Sequence, residues 1–306
     1  MINRELIRLK IVQIIYAYYQ NGNRNIDATE KELFLSLSKA YDLYNHLLLL
    51  LVEITNLATL RVEVQESKSK RLNTEKPNHK FADNRFILQL SQNKMLQEFQ
   101  ETQGKFWSTD DIFVRNTLDQ IEESKTYQDY MASTEDSYEE DREFWRTLYK
   151  NILCYNEDLD AILEEQCIYW NDDKEIVDEF VMKTIRRFEE KNGKKQELLP
   201  EYNDPEDRDF ARKLLRNAIL NCDRYMHLIG DHAQNWDLNR LAFMDVVIMQ
   251  IALAEILTFP NIPVQVSINE YVELAKLYST PRSGGYVNAI LDTISKELIA
   301  EGKLMK

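Results

Sequence analysis

Apolar side chains at Leu6, Leu9, Val12 and Tyr16, with Ile11 and Ile15 beside them, recur at helical spacing. Residues 3–20 therefore predict an amphipathic helix, ended by Asn21-Gly22-Asn23. Residues 30–65 predict one long helix. Thr29 and Glu32 have capping-box spacing at its start, and Glu30 adds an acid where the helix dipole favours one. Its centre, LLLLLVEITNLATL, is apolar on most faces and predicts burial on several sides. Residues 66–82 are polar, contain a proline and lack an apolar period, which predicts an exposed loop. Residues 84–132 predict about three short helices. Ser133-Thr134-Glu135-Asp136 then starts a helix near 136–154. Further helices are predicted at 156–166, 172–191, 204–231, 237–257, 264–278 and 283–301, with a small basic turn at Lys191–Lys195. Ser267 and Glu270 also have capping-box spacing, but Pro263 would start that helix equally well. The pattern predicts an all-α fold.

The chain also matches itself at a spacing of 66. Asp141, Arg142, Phe144, Arg146, Leu148, Asn151, Trp170, Val181 and Ile185 correspond to Asp207, Arg208, Phe210, Arg212, Leu214, Asn217, Trp236, Val247 and Ile251. These are nine identities in 45 aligned positions, where chance gives roughly three. The pattern fits a duplicated group of helices, and equally two helix sets that share a generic amphipathic pattern.

Composition sharpens the picture in two ways. Seven Gly and six Pro in 306 residues are too few for a turn-rich sheet fold. The net charge of −14 excludes a binder that is basic over its whole surface, though not a local basic site. The acid is concentrated: residues 109–180 hold 22 acids and 6 bases, a net of −16, which leaves +2 for the remainder. Such a stretch fits a solvated helix surface. It also fits a face that repels RNA or docks a basic protein.

Candidate chemistry is sparse. The chain has neither a Gly-rich phosphate loop nor a C-x-x-C pair, and its three cysteines suit a reducing compartment. Cys154 and Cys222 sit in apolar patterns and read as core thiols. His227 and His232 are five apart, poor spacing for shared metal ligation. No catalytic residue, metal site or cofactor is expected, and the chain is not expected to be an enzyme. MINRELIRLK lacks the features of a signal peptide, and Leu47–Val52 is too short an apolar run to span a bilayer. A cytoplasmic protein without membrane contact is expected. Arg4 and Arg8 are four apart and could meet adjacent phosphates from one helix face, although two such arginines also make an ordinary solvated face. Among the tyrosines that follow, one exposed ring could stack on a base.

The last quarter carries a resemblance. DVVIMQIALAEI from Asp245, IPVQVSINEYVELAK from Ile262 and YVNAILD from Tyr286 resemble, in order and spacing, the C-terminal half of the NusB family of transcription antitermination factors. Val12-Gln13-Ile14-Ile15-Tyr16 resembles the family's V-Q-x-L-Y segment, and Phe210 and Arg212 its F-x-R segment. The resemblance implies two packed helical subdomains, with residues 1–60 and 203–306 as the family-like halves. Residues 61–202 would then be an acidic helical insertion, in part a duplicate of the family's own helices. It further implies binding of boxA-type single-stranded RNA together with NusE, a ribosomal small-subunit protein. Through that complex the chain would contact elongating RNA polymerase and suppress termination on ribosomal RNA operons.

Carried onto this chain, the resemblance makes Arg4, Arg8, Gln13, Tyr16, Arg282, Ser283 and Tyr286 the candidate RNA-binding residues. Glu5 and Leu6 stand where bases are common in the family. Arg282 stands where other members can carry an acid, which would strengthen phosphate attraction. Asn288 reads as a hydrogen bond holding two helices. Ala289 replaces the usual glycine, so packing there would have to tolerate a methyl group. The alternative is a NusB-like interaction scaffold with weak or no RNA binding, suggested by the negative charge and the thinned arginine cluster. An RNA methyltransferase carrying such a domain is rejected, because the insertion lacks Gly-rich strand-to-helix turns.

Overall fold

A computed structural model describes residues 1–22, 25–233 and 242–304. Among the described residues the fold is all-α, with an isolated bridge between Ile2 and Tyr202 and no sheet. The helices are α1 (Arg4–Gln20), α2 (Ile26–Leu72), α3 (Arg85–Ser91), α4 (Lys94–Gln103), α5 (Ile112–Glu123), α6 (Lys125–Ala132) and α7 (Tyr138–Leu148). They continue with α8 (Glu157–Gln166), α9 (Lys174–Arg187), α10 (Pro205–Leu220), α11 (Cys222–His232), α12 (Phe243–Thr258), α13 (Val264–Tyr278) and α14 (Ser283–Ala300).

Side-chain caps set most of the starts. Asn3, Asn84, Asn93, Ser124, Ser137 and Asn156 each accept a hydrogen bond from a backbone N–H in the first turn of the helix that follows. Several boundaries differ from expectation, one of them because of such a cap. α2 begins a turn earlier than predicted, because Asn25 caps it through the Ala28 N–H while Thr29 bonds back to the Asn25 carbonyl. Its end also lies later. The polar residues after 65 stay helical to Leu72, helped by the Glu66–Lys70 pair, and the chain turns at Asn73 with φ 51°. The single helix expected at 204–231 is two, broken at Asn221. α7 ends in a π turn at Tyr149–Leu153. Trp236 and the expected start of the 237–257 helix lie outside the described residues.

The chain divides into two compact units. One comprises Ile2–Ser38 with Tyr202–Lys306, the other Lys39–Glu201 (with Met1). In the first, α12 is the central element: it packs on α1, α10, α11, α13 and α14, and ten consecutive residues, Val247 to Ile256, are buried. α1 lies against both α10 and α12, which buries Leu6 through Val12 without a break. The expected two-faced amphipathic helix is thus buried on most sides over its first half. In the second unit α7 packs on α3, α6 and α9. The apolar centre of α2 is buried there, tied to its neighbours by Trp107 and Trp170, whose indole N–H groups donate to the His46 and Lys39 carbonyls.

Most of the described repeat positions have matching environments. Asp141, Phe144, Leu148, Val181 and Ile185 are buried, and so are Asp207, Phe210, Leu214, Val247 and Ile251. The first matched pair also shares its partner type. Asp141 accepts from Arg85, the first residue of α3, and Asp207 from Arg4, the first residue of α1. Both arginines follow an asparagine cap.

Candidate functional site

The unit built on α12 contains every sequence-predicted site residue, and the structure separates them into interior and surface groups. Arg8 belongs to the interior. Its Nε and Nη2 donate to Glu255 Oε2 and Oε1 at 2.8 and 2.9 Å, and its Nη1 donates to Glu270 at 3.1 Å. Glu255 has no solvent exposure and also accepts from the Ser267 hydroxyl at 2.7 Å and the Tyr271 phenol at 2.9 Å. Burial works against the charged guanidinium, but the Glu255 hydrogen bonds and charge outweigh it and hold Arg8 above its ordinary value. Burial and the Glu255 charge likewise push the Tyr271 phenol well up. The expectation that Arg8 meets a phosphate beside Arg4 does not fit this geometry, because carboxylates occupy all three of its guanidinium nitrogens. Ser267 and Glu270, which have capping-box spacing, serve this cluster instead, and Pro263 precedes the first residue of α13.

Arg4 stays partly open. Its Nε donates to the buried Asp207 at 3.2 Å, its guanidinium lies 5.0 Å from the Phe210 ring centre, and 38% of its side chain is exposed. Arg8 lies 5.6 Å from the same ring. Phe210 therefore seats both arginines. Arg212, from the same F-x-R segment, pairs with Glu30.

Of the remaining candidates, Gln13, Arg282, Ser283 and Tyr286 lie at or next to the turn between α13 and α14. The Gln13 amide donates to the Tyr278 hydroxyl at 2.8 Å, tying α1 to the last residue of α13. Arg282 is exposed, and no carboxylate lies within ion-pair distance of it among the described residues. It sits at the N-terminus of α14, where backbone N–H groups and the helix dipole favour an anion. Tyr286 is half-buried one turn along. Tyr16 packs against Phe243 with ring centres 5.6 Å apart and is also half-buried.

Ser283 departs from expectation. It is fully buried, donates to Asp245 Oδ2 at 2.9 Å and accepts from the Thr280 N–H at 3.1 Å. It holds the turn that presents Arg282 and has no open face for RNA. Ala289 is exposed, so its methyl group meets no packing constraint, and Asn288 is exposed as well. The glycine that matters is Gly284, where a Cβ would come 3.1 Å from Lys276 Cγ as α14 crosses α13.

Other candidate chemistry resolves into structure. Cys154 is half-buried rather than in the core, and its partial burial pushes the thiol up to about 12, which suits an unreactive group. Among the described residues no three His, Cys, Asp or Glu side chains cluster so as to hold a metal ion, and no helix is long and apolar enough to cross a membrane.

Comparison with known proteins bears on this arrangement. A family described as the NusB family matches residues 175–296, from α9 to α14. A transcription antitermination protein NusB of Salinibacter ruber is 38% identical over 134 residues, which is 42% of this chain and 84% of that protein. Proteins of the same name from Chloroherpeton thalassium and Thermodesulfovibrio yellowstonii are 43% and 36% identical over 99 and 124 residues. Those matches take 32% and 40% of this chain and 47% and 78% of theirs. No solved structure matches. With most of the Salinibacter ruber protein covered at that identity, the chain belongs to the NusB family.

Proposed function

We propose that the chain is a transcription antitermination factor, a binding protein rather than an enzyme. In this reading it binds boxA-type single-stranded RNA together with NusE and supports elongation by RNA polymerase through ribosomal RNA operons. Residues 1–60 and 203–306 carry the activity, and residues 61–202 form an inserted helical segment. The observation that supports the RNA surface best is the Gln13–Tyr278 hydrogen bond, which gathers α1 and the α13–α14 turn around the exposed Arg282. Arg282 and the half-exposed Arg4 supply phosphate attraction, while Tyr16, Tyr286 and Gln13 supply ring and amide contacts to unpaired bases. Arg8 and Ser283 act through position: Arg8 anchors α1 on α12 and α13, and Ser283 fixes the turn.

Transcription through a terminator downstream of a boxA element tests this. Read-through should rise when the chain and NusE are added together and stay at the basal level when boxA is scrambled. A specific observation favours a second reading, the interaction scaffold: carboxylates consume Arg8 entirely and Arg4 in part. No effect on read-through, with NusE still bound to the chain, would select it.

A further inference from the structure

The most acidic part of the chain is followed at once by a strongly basic run. Residues 109–180 carry −16, whereas Lys183, Arg186, Arg187, Lys191, Lys194 and Lys195 give residues 183–195 a net of +4. The fold turns this run into a shaped feature of the unit Lys39–Glu201. Arg186 and Arg187 end α9, and the following loop folds back so that, with Arg142 and Lys195, they line an open cleft of about 560 Å³.

The loop is held rigidly. The buried Gln196 accepts from the Glu189 N–H at 3.1 Å and from the Asn192 amide at 2.9 Å. The Gln89 amide donates to the Glu189 and Gly193 carbonyls, both at 3.0 Å, and the Asn93 amide to the Gln196 carbonyl at 2.6 Å. Gly193, at φ 47°, makes the turn.

Three of the four cations in this cleft carry no ion pair, and the fourth, Arg142, pairs with Glu139 and Glu143. Among the described residues no carboxylate lies within ion-pair distance of Arg186, Arg187 or Lys195, and all three are exposed. Arg142 donates to the Phe188 carbonyl and to Glu139, yet its Nε is buried without a hydrogen-bond partner. Two carboxylates also line the cleft. Glu189 is held by Lys191, and Glu197 marks one side. Arginines in a last helical turn complement the helix dipole, which accounts for Arg186 and Arg187 but not for Lys195 or the pinned loop.

We propose that this cleft binds the phosphates of single-stranded RNA, a second RNA contact beyond the α13–α14 turn. Its lining contains no aromatic and no large apolar side chain, so it offers no ring surface to a base and no seat for an acyl group, and stacking on a guanidinium plane would tolerate any base. It reads charge alone, independent of sequence. The acidic stretch 109–180 of the same unit repels a polyanion and favours its approach at a basic site such as this cleft.

The test uses the full chain and a fluorescent oligouridylate lacking any boxA element, titrated over a series of salt concentrations. Arg186→Gln/Arg187→Gln/Lys195→Gln should weaken binding more than tenfold at low salt. It should also flatten the salt slope by about 2, at ~0.7 for each of three lost contacts. Arg186→Lys/Arg187→Lys should retain most of the affinity. Absence of oligouridylate binding, an unchanged slope in the triple variant, or displacement by an acidic peptide but not by RNA would overturn the proposal. Because boxA is absent, such a failure leaves the read-through result of the α13–α14 surface standing, and the two outcomes are separable.

Discussion

Arg8 on α1 and Glu255 on α12 form a two-pronged ion pair, at 2.8 and 2.9 Å, in which the carboxylate has no solvent exposure and the arginine only 5%. Removing one partner leaves an uncompensated buried charge, which costs about 3–5 kcal/mol. Arg8→Ala and Glu255→Ala should each lower unfolding stability by that amount in denaturant titrations. Arg8→Met combined with Glu255→Leu should recover much of the loss. A cost below about 1 kcal/mol for either single change would mean that the pair is open to water.

Ser283 gives a sharper separation between holding and touching. Ser283→Ala leaves Asp245 without a buried donor and should cost about 1–3 kcal/mol of stability. RNA affinity measured well below the unfolding temperature should fall only modestly. A large affinity loss with unchanged stability would make Ser283 a direct contact.

His46 sets a pH dependence for the second unit. Its ring packs among Phe99, Phe106 and Trp170, and its Nδ1 is buried without a partner. Burial pushes its pKa down to about 4 from 6.5, so the folded state holds it neutral while the unfolded state takes up a proton. The stabilisation is complete above pH 6.5 and is lost as pH falls toward 4, about 3 kcal/mol in all. Asp178 acts in the opposite sense. Burial raises it to about 6, so its contribution is complete below 3.8 and lost as pH rises through 6. Comparison of wild type with His46→Phe isolates the histidine: the variant should lose less stability than wild type between pH 7 and pH 4.5. Equal losses would refute the assignment.

The matched acids Asp141 and Asp207 should differ in weight despite their corresponding places in the repeat pattern. Asp141 accepts from the Arg85 backbone and side chain and from the Tyr130 phenol, whereas Asp207 holds a half-exposed Arg4. Alanine should cost about 3 kcal/mol at Asp141 and about 1 kcal/mol at Asp207. The reverse order, read by denaturant midpoints, would contradict this reading of the two junctions.

Much of the fold was legible in the sequence. The 264–278 helix matches because Pro263 fixes its start, and the body of α12 falls within the helix expected at 237–257. The division of the chain at Ser38 and Lys39 was not, since it falls inside α2, where no breaker marks it. The site was legible only in part. Periodicity placed Arg8 on a helix but gave no sign that the helix was buried on most sides. A signal did exist: Glu255 is a lone acid in the apolar core of α12, and such a charge requires a buried cation. The equivalence of Arg4 and Arg85 was hidden because α1 and α3 do not share the spacing of 66 that relates α7 to α10.

Titration of boxA-type RNA, with and without NusE, against wild type and Arg282→Ala bears most directly on the proposed RNA surface. Wild type should bind more tightly with NusE present. Arg282→Ala should weaken binding several-fold and reduce the salt slope by about 0.7, one phosphate contact. Failure of any RNA to bind even with NusE would contradict an RNA-binding role, and equal affinity of the variant would place the RNA elsewhere on the molecule.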